Sequence, residues 1–180
     1  MDNLIDFADS FAEYAHRNQK RKYTKEPYIE HPREVCNILK SKAKNVTKEM
    51  LIASLLHDTV EDTDVTIEDI KHYFGKEVAY LVECLTDVSK LSDGSREKRK
   101  EIDRLHLAKE SPQAKTIKLA DLINNTESIT KYDKVFAITY MKEKRLLLKV
   151  LKQGDKRLYK IASEIVNKFF KELDNGQWRA

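Results

Sequence analysis

The chain has 180 residues and a net charge of +4, long enough for one domain with a substantial core and too weakly basic to argue for a nucleic-acid partner. Glycine (4) and proline (3) are scarce while Lys, Glu, Leu and Ala are common, which favours an all-α protein. No apolar run approaches membrane-spanning length and the N-terminus lacks the design of a signal peptide, so a cytoplasmic protein without a membrane partner is expected.

In chain order, Leu4, Phe7, Ala8, Phe11 and Ala15 follow helical spacing and predict a first helix over about 3–18. A basic loop follows, Lys20 to Lys25, closed by Pro27. His31-Pro32 then starts a helix carrying Val35, Ile38 and Leu39, with proline at a position a helix start tolerates. Thr47 is a candidate N-cap for a central helix through Met50-Leu51-Ile52-Ala53. That apolar run should continue with another apolar turn. It delivers His57 and Asp58 instead, then Glu61 and Asp62 one turn later.

On one continuous helix, His57 and Glu61 share a face, as do Asp58 and Asp62. Four ionisable groups would then line the end of a buried helix, a costly arrangement unless compensated. A divalent metal is the simplest compensation for a His and carboxylate set. The alternative is a core His-Asp hydrogen bond followed by a solvated helix end.

Further on, Thr66 and Asp69 resemble a capping box opening a short helix to Phe74, broken at Gly75. A helix over about 76–88 follows, then a loop at Ser92 to Ser95 and a helix that opens with the basic cluster Arg96, Lys98, Arg99, Lys100 and Arg104. Ser111-Pro112 opens a helix holding Lys118-Leu119-Ala120-Asp121, a single acid among apolar neighbours. Such an acid pairs with a cation or binds a metal, and Lys118 offers a local ion pair. Two more helices are predicted at about 134–151 and 156–173, separated by Gly154, with a frayed tail over 174–180. Cys36 and Cys84 sit in apolar helical patterns and read as reduced core residues.

The order His31, His57-Asp58, Asp121 resembles the HD-domain metal-dependent phosphohydrolases. Tyr28-Ile29-Glu30-His31-Pro32, His57-Asp58-Thr59-Val60-Glu61-Asp62-Thr63 and Lys118-Leu119-Ala120-Asp121 with Asn125 are similar to the hydrolase domain of RelA/SpoT proteins and to its stand-alone versions, the small alarmone hydrolases, a metazoan SpoT homologue among them. The resemblance implies an HD-domain bundle of about eight to ten helices over 1–173, with 174–180 as a tail. It implies one Mn²⁺ on His31, His57, Asp58 and Asp121, with Glu61 and Asp62 acting on the attacking water. It also implies substrate contacts from Arg21, Lys22 and Asn125, and from Tyr140 by a looser match. The chain departs from the family's usual motif at Leu122 and Asn124, which bears on the chemistry around the ligands and on base preference.

The expected activity is Mn²⁺-dependent hydrolysis of the 3′-diphosphate of ppGpp or pppGpp, giving GDP or GTP and pyrophosphate. The charge on the released pyrophosphate needs cations, and besides Arg21 and Lys22 the cluster Arg96, Arg99 and Lys100 is a candidate, since guanidinium binds phosphate bidentately. Rival readings are a ppApp hydrolase, an NADPH 2′-phosphatase on the same site, and an alarmone-binding or antitoxin-like module paired with a synthetase toxin through the shared alarmone.

Overall fold

The computed structural model describes residues 3–176 and 178. Among them are ten α-helices: α1 Asn3–Ala15, α2 Glu30–Lys42, α3 Lys48–Leu56, α4 Thr59–Asp62, α5 Ile67–Phe74, α6 Lys76–Leu85, α7 Arg96–Ala108, α8 Pro112–Tyr132, α9 Lys134–Leu147 and α10 Lys156–Asp174. Among the described residues there is no strand, only an isolated antiparallel bridge between Lys20 and Pro27 that closes the basic loop. None of the helices is long and apolar enough to cross a membrane.

Local sequence sets most helix starts. Thr47, Ser95 and Ser111 each accept a backbone N–H three residues on, with Pro112 in the first turn of α8. Thr66 and Asp69 form the reciprocal capping box. Each such cap is worth about 1 kcal/mol. Gly75 adopts φ 89° between α5 and α6, a conformation that side-chain-bearing residues rarely take. Gly154 serves another purpose, since a Cβ there would come within 2.8 Å of Leu119 and 3.1 Å of the Lys115 backbone. The connection from α9 to α10 can therefore lie directly on α8.

Two helices are central. In α3, Met50 and every residue from Ile52 to Leu56 are buried; in α8, residues from Ala114 to Thr126 are buried on several faces. Neither is amphipathic, because each is surrounded. α3 packs on α1, α2, α6 and α8, and α8 on α2, α3, α6, α9 and α10. One apolar core runs from Ala8 to Phe169. The start of α2, the end of α3 and the middle of α8 meet inside this frame.

The central helix is not the continuous one that its sequence pattern predicted. It ends at Leu56, and α4 restarts at Thr59. Side chains take the carbonyls that would carry it on: His57 Nδ1 bonds the Ser54 carbonyl at 2.8 Å and Thr59 Oγ1 donates to that of Leu56 at 2.7 Å. Asp58 relaxes to φ −98°, ψ −6°, while Asp62 N–H still reaches the Asp58 carbonyl at 2.9 Å. The break turns His57 and Asp58 inward and keeps Glu61 and Asp62 one turn on. Helices α1, α6 and α9 also stop a few residues before their expected ends. In the tail expected to fray, α10 runs to Asp174, Trp178 packs on Phe169 at 4.5 Å between ring centroids, and its Nε1 donates to Glu172 at 3.1 Å. Gln177, Arg179 and Ala180 lie outside the described residues.

Candidate active site

Four side chains converge from two helices and a break. His31 comes from the first turn of α2, His57 and Asp58 from the interruption between α3 and α4, and Asp121 from mid-α8. His31 Nε2 lies 3.4 Å from Asp58 Oδ2 and 3.3 Å from Asp121 Oδ1; His57 Nε2 lies 3.2 Å from Asp58 Oδ1 and 3.9 Å from Asp121 Oδ1. Donors held at right angles about 2.1 Å from one ion lie about 3 Å apart, so this spacing fits a shared cation. His31, His57 and Asp58 form a compact potential metal-binding group, and Asp121 closes it from α8.

The hydrogen bonds behind the histidines select the same atoms. His57 commits Nδ1 to the Ser54 carbonyl, leaving Nε2 buried, without a hydrogen bond, and facing carboxylate oxygens. A lone pair aimed at carboxylates suits a bound cation. His31 donates Nδ1–H to Asn124 Oδ1 at 2.6 Å, and Asn124 Nδ2 donates to Glu34 at 2.6 Å, which fixes the amide's orientation. Asn124 was expected to alter the chemistry around the ligands as well as base preference, and it does stand behind a histidine of the group. Leu122, the neighbouring departure, is 1% exposed in the core.

The electrostatics call for positive charge at this point. Burial alone would lower the His31 pKa, but Asp121 and Asp58 outweigh it and raise it to about 10. Burial lowers that of His57. Burial would raise both acids; His57 and His31 hold Asp58 low, while Lys118, His31 and His57 hold Asp121 low. Lys118 does make the expected local pair, 2.9 Å from Asp121 Oδ2, and the other oxygen of Asp121 still faces the histidines. Asn125 donates to that same Oδ1 at 2.6 Å, and Tyr28 donates to Asp58 Oδ2 at 2.8 Å.

Glu61 and Asp62 flank the group. Glu61 Oε2 accepts from the Asp87 N–H at 3.3 Å, and burial together with the Asp87 charge raises its pKa to about 7. Asp62 is also raised, by burial and by Asp58. Its backbone carbonyl accepts from Gln19 Nε2 at 2.5 Å, which ties α4 to the end of α1.

The expected substrate residues are less uniformly gathered. The basic loop is pinned at the α8–α9 junction, where Tyr23 donates to Asp133 at 2.9 Å and Lys22 lies 3.5 Å from the same carboxylate. Lys22 and Arg96 both lie over the Phe136 ring, at 5.8 and 5.1 Å, so the loop and the start of α7 approach each other there. Arg96 is also held by both oxygens of Glu143, at 2.7 and 3.0 Å. Arg21 sits half-buried with no side-chain partner among the described residues. Tyr140 is buried with an unpartnered hydroxyl, close enough for the charge of Asp121 to raise its pKa after burial does. Among the described residues no hydrogen bond or ion pair connects Arg99 to the group, and its Nε is buried without a partner. Sequence reasoning did not single out Tyr28, Asp87, Phe136 or Lys144 for these positions. Tyr28 carried a signal as part of the motif before His31, and Asn124 had stood out as a departure from the family motif.

The HD-domain family profile matches residues 8–144. The chain is 41% identical over 123 residues to the zebrafish (Danio rerio) guanosine-3′,5′-bis(diphosphate) 3′-pyrophosphohydrolase MESH1, covering 68% of this chain and 67% of that protein. The human counterpart is 41% identical over 129 residues, 71% of this chain and 70% of its own length. A longer relative of the same enzyme name from Aquifex aeolicus is 41% identical over 125 residues, which are 69% of this chain and 18% of that protein. A solved structure described as a metazoan ortholog of SpoT that hydrolyses ppGpp superposes with a TM-score of 0.85 at 29% identity, covering 93% of this chain and 96% of the other. The chain therefore belongs to the HD-domain family, and its similarity to the MESH1 proteins spans most of their length.

Proposed function

We propose that this protein is a metal-dependent (p)ppGpp 3′-pyrophosphohydrolase. The observation that carries the reading is the pair of converging histidines and carboxylates with Glu61 and Asp62 beside them, in a chain 41% identical to proteins named for that reaction. His31, His57, Asp58 and Asp121 would hold the ion, which we infer to be Mn²⁺. When bound, it supplies Lewis acidity that polarises the phosphorus centre and acidifies water.

The protein's own groups do the rest. Water attacks the phosphorus attached to the 3′-oxygen, the P–O bond breaks, and pyrophosphate departs while the 3′-oxygen takes a proton. Glu61, raised to about 7, holds a proton near neutrality and is assigned to give it to the 3′-oxygen. Asp62 orients the water and receives its proton. Asn125 and Lys118 fix the two oxygens of Asp121, and Tyr28 fixes one oxygen of Asp58. Arg21, Lys22 and Arg96 are assigned to the 5′-phosphates and Tyr140 to the nucleoside. Arg99, whose Nε is buried without a partner among the described residues, is assigned no substrate contact.

A turnover panel tests the reading. ppGpp, pppGpp, ppApp and NADPH are compared at equal concentration, with products identified by chromatography. The guanosine alarmones should be converted fastest, to GDP or GTP plus pyrophosphate. Faster release of phosphate from NADPH, or of pyrophosphate from ppApp, would reassign the substrate while keeping the site. Turnover of none of them by folded, metal-loaded protein would favour an alarmone-binding module.

A further inference from the structure

Beside Glu61 and Asp121 lies a cavity of about 70 Å³, with Asp87, Lys100, Asp103, Lys118, Glu143 and Lys144 in its lining. It has room for several waters or the oxygens of a phosphoryl group. It adjoins the reacting centre on two sides. The Asp87 N–H reaches Glu61, and Lys118 reaches Asp121.

The charges around it do not pair off. Asp87 is bonded by Lys100. Asp103 is taken by Lys100 and by Val88 N–H, Ser89 N–H and the Ser89 hydroxyl. Glu143 is held by both arms of Arg96. Lys118 is spent on Asp121. Lys144, on α9 and half-buried, pairs with no carboxylate among the described residues; its contact is the Tyr140 ring, 4.5 Å from Nζ. Burial and the neighbouring ammonium groups of Lys118 and Lys100 lower its pKa to about 8. A solvated lysine would swing away from two like charges. One kept among them is stabilised when an anion joins it.

We propose that this cavity is an anion subsite in which Lys144, with Lys118 and Lys100, receives the outer phosphate of the 3′-diphosphate and holds the departing pyrophosphate. The assignment rests on the hydrolase reading for its substrate, while the site itself is a statement about inorganic pyrophosphate. Phe136, Tyr140 and Lys144 recur at four-residue spacing on α9, so one helix face carries the ring under Lys22 and Arg96, the buried tyrosine and the free ammonium. The nucleotide would lie along that face with its 3′-diphosphate directed toward Lys144.

Calorimetric titration of inorganic pyrophosphate into the full-length, metal-loaded protein tests this, with metal content measured for each variant. Lys144→Met should weaken binding by roughly ten- to hundredfold, the scale of a charge-assisted hydrogen bond, while Lys144→Arg stays within about threefold of the parent by the same measure. Lys160→Met, on an exposed part of α10, is the control and should change nothing. Parent-like affinity in Lys144→Met, or an equal loss in Lys160→Met, would overturn the proposal. Should Lys144→Met fail to fold, Lys144→Gln is read in the same way. Pyrophosphate binding that depends on Lys144 in a protein that turns over no alarmone would uphold the subsite and refute the hydrolase reading.

Discussion

His31 Nδ1 lies 2.6 Å from Asn124 Oδ1, a hydrogen bond across 93 positions that joins the start of α2 to the middle of α8. It turns the other nitrogen of His31 toward Asp58 and Asp121, and the Asn124–Glu34 contact keeps the amide from flipping. Asn124→Leu keeps the volume and removes the acceptor. It should lower metal affinity by about ten- to a hundredfold, as loss of such outer partners does, with little change in the thermal midpoint of the metal-free protein. Competition with a chelating dye reads the affinity, and an unchanged value would mean that His31 is oriented by packing alone.

Glu61 and Asp87 make a second coupled pair. Because burial and Asp87 raise Glu61 to about 7, a proton donor there is filled below pH 7 and empties above it, so kcat should fall as pH rises through neutrality. Asp87→Asn removes the like charge, lowers the Glu61 pKa and shifts that limb to lower pH. Glu61→Gln and Asp62→Asn should each keep the metal and lower turnover by about two or more orders of magnitude. A profile unmoved by Asp87→Asn would remove Glu61 from the acid role.

Among the described residues the Arg21 side chain has no hydrogen-bond or ion-pair partner to lose. Arg21→Ala should therefore leave stability near the parent value and raise KM more than it lowers kcat. A fall in kcat at constant KM would place Arg21's contribution in the transition state instead.

Much of this was legible in the residues. The caps at Thr47, Thr66, Ser95 and Ser111 are local hydrogen bonds, and local sequence specifies them. The order of His31, His57-Asp58 and Asp121 carried the site through its resemblance to the HD-domain hydrolases, and ionisable residues set in apolar helices need a partner. What the sequence hid depends on contacts between distant segments. The break at His57–Asp58 follows from side chains competing for carbonyls in a helix whose apolar pattern runs on. Lys144 looks like any lysine on an exposed helix until Lys100 and Lys118 are brought beside it and the nearby carboxylates prove to be taken. Asn124 read as a change in the chemistry around the ligands, but nothing local shows that its partner is His31.

Lys144 also gives a pH signature in stability. Its folded pKa, about 8, lies below the ordinary lysine value of 10.5. Below pH 8 both folded and unfolded chains carry the proton, and the cost of burying it among Lys118 and Lys100, partly offset by Asp121 and Glu143, is fully present. Between pH 8 and 10.5 the unfolded chain still holds a proton that the folded chain has released, so this contribution makes stability rise with pH. Lys144→Met should accordingly be more stable than the parent at pH 7, with the gap closing as pH climbs from 8 to 10.5. Urea titrations at several pH values measure it, and a gap that stays constant would contradict the account.

The central claim is that ppGpp hydrolysis belongs to the His31, His57, Asp58 and Asp121 group acting through a bound metal. Its most direct test is pyrophosphate release from ppGpp by chelated protein as Mn²⁺ is added back, with His57→Ala run alongside. Turnover should be absent after chelation, return as one equivalent of metal binds, and fail to return in His57→Ala. Hydrolysis that persists in chelator, or that His57→Ala carries out at the parent rate, would contradict the claim.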